Sequence, residues 1–143
     1  MKTGLSKLAV TLLLALGSNA ALACGYCVED RIAAVYDHAL LQRTLALKHQ
    51  LVFFAWDGPL ARSNGSRQKI MALGEAVPGV DKGSTRVSME PAALALAFDP
   101  QRNSAQGIEA ALQKKLSVLK LTIVRLQAPP TPSVRSTANR IND

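Results

Sequence analysis

The stretch that decides the fold is Gln50-Leu51-Val52-Phe53-Phe54-Ala55-Trp56. Successive side chains of a β-strand point to opposite faces, and here both alternating sets of positions are apolar. A strand that is apolar on both faces is covered on both, so we expect helices on each side of the sheet to which it belongs. Asp57-Gly58-Pro59 ends the strand, and a polar, turn-rich loop continues to Ser66.

Helical and extended patterns alternate downstream of this strand. We predict strands near residues 51–56, 83–89, 92–98 and 118–126, and helices near residues 66–77 and 104–116. In the second strand, Ser84, Arg86 and Ser88 are expected to face outward. The order strand-helix-strand-strand-helix-strand predicts an α+β sandwich in which two helices cover one face of a four-stranded antiparallel sheet.

A further amphipathic segment precedes this sandwich. The chain contains no Pro or Gly from Val28 to Asp57, and apolar residues recur there at helical spacing. We predict one added helix over residues 28–48, about five turns long. We expect it on the sheet face opposite the other two helices, where the third strand would present small side chains that allow close approach. These are Ala93, Ala95 and Ala97.

The first 23 residues have the pattern of a secretory signal peptide. Lys2 and Lys7 form a positive start, and the apolar run from Leu8 to Leu16 is too short to span a bilayer. Ala21-Leu22-Ala23 fits cleavage before Cys24, although lipid attachment at Cys24 and an uncleaved anchor stay open as alternatives. In each case we expect the mature chain to work outside the cytoplasm, in the periplasm, where disulfides can form.

Four segments follow from these patterns. They are a signal peptide at 1–23, the cysteine pair and added helix at 24–49, the sandwich domain at 50–127 and a tail at 128–143. The tail begins with three prolines among six residues from Gln127 to Pro132 and is poor in apolar residues beyond them. We therefore predict that it is disordered.

The charge of the chain argues against a nucleic-acid partner. The full chain carries +7, and the residues from Cys24 onward carry 15 basic side chains against 10 acidic ones, or +5. This excess is scattered along the sequence without a stripe of interleaved aromatic residues. A solvated basic surface is the simpler interpretation.

The only two cysteines of the chain stand at Cys24-Gly25-Tyr26-Cys27, directly before the added helix. Two thiolates at this spacing can hold a soft ion such as Cu(I) or Zn(II). The amino end of a helix can also lower a thiol pKa and support thiol–disulfide exchange, and the pair could instead form a structural disulfide. All three chemistries stay open on the residues alone.

Ligand number separates the two metals. Zinc in a closed protein site takes four ligands, whereas this segment supplies two sulfurs, which favours Cu(I). A free α-amino group at Cys24 could add a third ligand. His38 and His49 are too far along the chain to join the cysteines through local geometry, and we assign them ordinary surface or capping roles. The sequence shows no nucleophile elbow, phosphate-binding loop or paired-histidine motif, so we do not expect an enzyme.

The sandwich region resembles a known family through four short motifs: Val77-Pro78-Gly79-Val80, the strand around Val87, Leu96-Ala97-Phe98-Asp99-Pro100, and the helix that begins near Gln106. It is similar to the heavy-metal-associated domain, the ferredoxin-like fold of copper chaperones and of amino-terminal modules of metal-transporting ATPases. The resemblance implies binding of a soft metal ion. It departs at the family's metal loop, a Cys-x-x-Cys between first strand and first helix, because the corresponding residues 57–66 contain no cysteine.

We therefore expect an extracytoplasmic heavy-metal-binding protein, a carrier or buffer of copper type, whose ligands Cys24 and Cys27 have moved from the loop to the mature amino terminus. Its partners would be the metal ion and a metal transporter or another periplasmic protein. No nucleic-acid contact is expected, and membrane contact only through the signal peptide or lipidation of Cys24. The alternatives are an interaction module of the same fold that has lost metal binding and, less favoured, a thiol–disulfide exchange protein.

Overall fold

The computed structural model describes residues 27–130, so the predicted signal peptide, Cys24 and the tail from residue 131 lie outside the described residues. The elements are, in chain order, α1 (Val28–Ala33), α2 (His38–Ala46), β1 (Gln50–Asp57), α3 (Asn64–Glu75), β2 (Arg86–Met89), β3 (Ala92–Phe98), α4 (Ala105–Lys115) and β4 (Lys120–Gln127).

The four strands form one antiparallel sheet in the order β2-β3-β1-β4. Because α3 connects β1 to β2 and α4 connects β3 to β4, the chain has the ferredoxin-like βαββαβ arrangement, and the predicted α+β sandwich is confirmed. β1 and β3 are the central strands, and every residue at 51–56 and 93–98 is buried. The two-sided cover expected for β1 is therefore present.

Helices α3 and α4 cover one face of the sheet. Val52, Phe54 and Trp56 of β1 lie in the core on this side. Serine side chains start both helices: Ser63 Oγ accepts from the backbone N–H of Ser66 at 3.1 Å, and Ser104 Oγ accepts from that of Gly107 at 3.0 Å. Gly74 lets α3 approach the sheet closely, since a Cβ there would stand 3.1 Å from Thr85 Cγ2.

Helices α1 and α2 cover the opposite face, as predicted for the added segment. Their buried side chains meet Leu51 and Phe53 of β1 and the alanine face of β3. The buried residues of this second core are Ile32, Val35, Leu40, Leu51, Phe53, Ala93, Ala95 and Ala97. The small alanines allow the short helices to lie against the strand, so this layer belongs to the domain.

The prediction of one continuous helix over residues 28–48 is wrong. The helix ends at Ala33 and a second one begins at His38. Asp37 causes the break, because its carboxylate accepts from the backbone N–H of Leu40 at 3.0 Å and so caps a new helix. The same carboxylate pairs with Arg86 of β2, with both Nε and Nη2 at 3.0 Å from Oδ2.

The second strand is shorter than predicted and Ser84 does not face outward. Gly83 has a φ of 71°, a backbone conformation that ends the preceding turn, and regular pairing starts only at Arg86. Ser84 is fully buried: its hydroxyl donates to the Asp81 carbonyl at 2.6 Å and accepts from the Ala97 N–H at 3.1 Å. The side chain thus satisfies the backbone of β3 where β2 does not reach.

Candidate metal centre at the amino-terminal cysteines

Cys27 stands at the residue immediately before α1. Its carbonyl accepts from the backbone N–H groups of Asp30 and Arg31 at 3.1 and 3.3 Å, which is the backbone role of an N-cap residue. Its side chain makes no capping hydrogen bond and the residue is exposed. Cys27 is therefore an exposed residue at the amino end of α1.

The helix that carries Cys27 is attached to one end of the sheet. Arg31 lies four residues on, on the same side of the helix, and its Nη2 contacts Asp57 Oδ1 at 3.1 Å. Its Nη1 also donates to the Trp56 carbonyl at 3.4 Å. Ile32, 6% exposed, holds α1 to the sheet face. Cys27 is thus one helical turn from a side chain anchored at the end of β1.

The loop between β1 and α3, at residues 58–63, leaves from that same end of the sheet. It contains no thiol, and its charged residue Arg62 forms an ion pair with Glu90 at the turn between β2 and β3. Gly58 has a φ of 140°, and a Cβ there would stand 2.5 Å from the Val118 carbonyl, so the loop passes close to the start of β4. As the sequence indicates, this loop has no thiol that could bind a soft metal ion.

A shallow pocket of about 380 Å³ lies beside this loop. Arg62, Arg67 and Ser88 line it, with Met89 and Glu90. Arg67 Nε donates a hydrogen bond to the Val87 carbonyl at 3.2 Å. The pocket is polar and cationic in character, which is unlike a site for a soft cation.

The two histidines hold structural contacts. The exposed His38 has its Nδ1 3.3 Å from the Tyr36 hydroxyl. His49 has its Nδ1 2.9 Å from Asp81 Oδ2, and both side chains are about three-quarters buried, at 23% and 24% exposure. This second contact joins the segment after α2 to the loop before β2. Sequence patterns do not reveal this pairing, because the two residues are 32 positions apart. Neither histidine approaches Cys27 as a partner in a metal cluster, since residues 27–130 contain no group of three or more His, Cys, Asp or Glu that could hold an ion.

The pKa of the Asp37 carboxyl lies below its ordinary value. The backbone N–H of Leu40 lowers this pKa most, and the Arg86 guanidinium lowers it further. The pattern of apolar residues gave no sign of this contact, because Arg86 is 49 residues away. Its role is to hold the α1–α2 layer to the edge strand β2.

A metal site built on Cys27 needs a donor from outside the described residues. Cys24, three residues earlier, is the only other thiol in the chain. The two residues between the cysteines, Gly25 and Tyr26, come before Val28, the first residue of α1, in the sequence. Nothing in residues 27–130 is long and apolar enough, as a helix, to cross a bilayer.

Comparison with known proteins finds similar chains among the solved structures. The sequence matches no protein-family model and none of the curated proteins. Among solved structures, the chain is similar to the crystal structure of oxidized MerP from Ralstonia metallidurans CH34, at 18% identity and a TM-score of 0.44. The match covers 54% of this chain and 99% of that one. The ferredoxin-like arrangement described above follows from the strand order and connections, independently of this likeness.

Proposed function

We propose that this chain is an extracytoplasmic protein that binds a soft metal ion of copper type through the thiolates of Cys24 and Cys27. The observation that supports this most is the place of Cys27, which is exposed directly before α1 and makes no capping hydrogen bond with its side chain. An exposed residue at this place is within reach of an ion from solvent.

The chemistry of the segment fits Cu(I) better than zinc. The unsatisfied backbone N–H groups at the start of a helix favour negative charge, and thiolates are the form of cysteine that binds metal. Two thiolates at C-x-x-C spacing suit a soft ion of low coordination number. Zinc would need further ligands, and no described histidine or carboxylate cluster supplies them.

Because α1 is attached to the sheet, the proposed site at its start lies at the surface of the domain. Arg31 and Ile32 fix the helix to the sheet, whereas Cys27 itself is open to solvent. An ion held there is accessible to the ligands of a second protein. This accessibility suits a carrier or buffer that exchanges its ion with a partner such as a metal transporter, and the leader pattern would bring the chain to the periplasm.

The test is a competition titration of the mature chain, residues 24–143, against a chromophoric Cu(I) chelator under reducing, oxygen-free conditions. We expect about one Cu(I) per chain, held more tightly than Zn(II). The double variant Cys24→Ser/Cys27→Ser should lose this binding. His38→Gln, at an exposed histidine in the same layer, is the matched control and should bind copper as the wild type does. Equal, weak copper binding by the wild type and the double variant would overturn the proposal.

A specific observation also supports the second candidate, an interaction module that keeps the fold without its metal. The β1–α3 loop is thiol-free, and its Arg62 is engaged with Glu90 in an ion pair. Were the titration to show no cysteine-dependent metal binding, this candidate would replace the first. A thiol–disulfide exchange protein would instead show rapid reduction of a Cys24–Cys27 disulfide by a dithiol reagent, with turnover of a disulfide substrate.

A further inference from the structure

We propose that the open edge of β4 binds an extended, acidic segment of a partner protein, which adds to the sheet as a fifth strand. This binding is separate from the metal chemistry of Cys24 and Cys27. It uses main-chain pairing along the strand, with basic side chains that select the charge of the partner.

β4 is the longer of the two edge strands. It has eight residues and pairs with β1 on one side, whereas no strand within residues 27–130 pairs with its other side. The opposite edge strand, β2, has four residues and is tied to α2 through Arg86. An edge strand carries a row of backbone N–H and C=O groups ready to pair with another chain, so β4 offers the longer template.

α1 and α2 pack mainly against β1 and β3, and Val124 of β4 contacts the same core. Thr122 and Arg125 of β4, which stand opposite Ala55 and Phe53 in the sheet, are exposed. Two apolar side chains are also exposed at the two ends of the strand: Val118 just before it, at 60%, and Leu126 near its end, at 44%. A bound strand would cover both, so the edge combines backbone groups with apolar side chains at its ends.

The exposed charged side chains of β4 and of the last turn of α4 are all positive. Between Glu109 and Asp143 the sequence contains no acidic residue. The exposed basic residues of this stretch, which we call the basic strip, lie in the last turn of α4 and along β4: Lys114, Lys115, Lys120 and Arg125. Asp57 stands opposite Lys120 in the sheet, but it contacts Arg31 at 3.1 Å. The edge therefore favours a partner with negative charge.

The same charges argue against the two occupants that this chain could itself supply. A second copy docked edge to edge would bring two basic strips together, and like charges facing each other across strands are unfavourable. Residues 131–143 carry Arg135 and Arg140 against Asp143, a net positive charge, and so do not complement the strip either. An acidic segment of another protein does.

The experiment measures binding of a fluorescein-labelled acidic peptide, as long as β4, in which Glu alternates with Thr and Val. Fluorescence anisotropy with the mature chain should show salt-sensitive binding, weakened at least about tenfold in Lys120→Glu/Arg125→Glu. The matched control, Lys69→Glu/Arg102→Glu, changes the net charge equally at exposed residues of α3 and the β3–α4 loop. It should bind within about twofold of the wild type.

Two further measurements identify the edge and the mode of binding. Amide shifts on titration should concentrate at residues 120–127, and a peptide N-methylated at alternate residues should fail to bind, because it lacks the N–H groups for pairing. Equal weakening in both double variants, or binding of the N-methylated peptide, would overturn the proposal. So would a concentration-dependent dimer with peptide-independent shifts at 120–127. The variant Cys24→Ser/Cys27→Ser should bind the peptide normally, which separates this test from that of the metal site.

Discussion

The α1–α2 layer should contribute to the stability of the whole domain, and Leu40→Ala tests this most sharply. Leu40 is 3% exposed and packs with Leu51 and Phe53 over the alanine face of β3. Replacing a buried leucine by alanine costs about 2–5 kcal/mol, from lost apolar burial and from the cavity left behind. In a domain whose total stability is about 5–15 kcal/mol this is a large fraction.

Leu47→Ala is the matched control, since Leu47 follows the same helix but is 55% exposed. The same chemical change there should alter stability by no more than about 0.5 kcal/mol. For a domain near this size, 1 kcal/mol shifts the melting temperature by roughly 4–8 °C. Leu40→Ala should therefore lower it by at least about 8 °C, and Leu47→Ala by less than about 4 °C.

The assay is thermal and urea unfolding of residues 24–143, followed by far-UV circular dichroism. A single transition that moves in Leu40→Ala would show that the layer unfolds together with the sheet. If both variants had equal, small effects, α1 and α2 would not form part of the cooperative core. The assignment of these helices to the domain would then be wrong.

Three further predictions concern contacts of the same layer and of the short strand. The lowered pKa of Asp37 stabilises the fold above the ordinary value of 3.8, and this contribution is lost as pH falls through the folded value. Melting temperatures from about pH 6 to about pH 2 should therefore fall less steeply in Asp37→Asn than in the wild type. Ala95→Leu, at a fully buried site under α1 and α2, should cost about 1–3 kcal/mol or more by overpacking, whereas Ala61→Leu in the exposed loop should have little effect. Ser84→Ala should lower the free energy of unfolding in urea by about 1–3 kcal/mol, because the Ala97 N–H loses its acceptor. An unchanged urea midpoint in Ala95→Leu or in Ser84→Ala would contradict the contact concerned.

The sheet and its two covers could be predicted because the information is local. The apolar residues on both faces of β1 require cover on both sides, and alternation along β3 places its alanines on one face. Burial of these residues depends only on the two-residue period of a strand, which the sequence displays directly. The order of helices and strands then leaves few ways to build an antiparallel sandwich.

The break between α1 and α2 could not be predicted from the same patterns. Helical periodicity continues through residues 34–37, and only a capping contact distinguishes Asp37 from an ordinary surface residue. Its partner Arg86 lies on a strand that is 49 residues away. The prediction that Ser84 faces outward is wrong for the same reason. Its hydroxyl accepts a hydrogen bond from the backbone of β3, 13 residues further along the chain.

The candidate sites differ in how far the sequence reveals them. The C-x-x-C spacing and its place before a helix are visible in the residues, and the structure places Cys27 at the start of α1. The charge of the β4 edge is hidden, because Lys114, Lys115, Lys120 and Arg125 read as scattered cations until the fold sets α4 beside β4. The choice among metal binding, exchange and a structural disulfide depends on Cys24, which lies outside the described residues.

The measurement that tests the central claim most directly is copper K-edge X-ray absorption of residues 24–143, reduced and loaded with one equivalent of Cu(I). Binding through Cys24 and Cys27 predicts a first coordination shell of two sulfur atoms. The third ligand, where present, would be a nitrogen of the amino terminus. A shell of nitrogen and oxygen alone, or one unchanged in Cys24→Ser/Cys27→Ser, would contradict the claim that this protein holds copper through its cysteine pair.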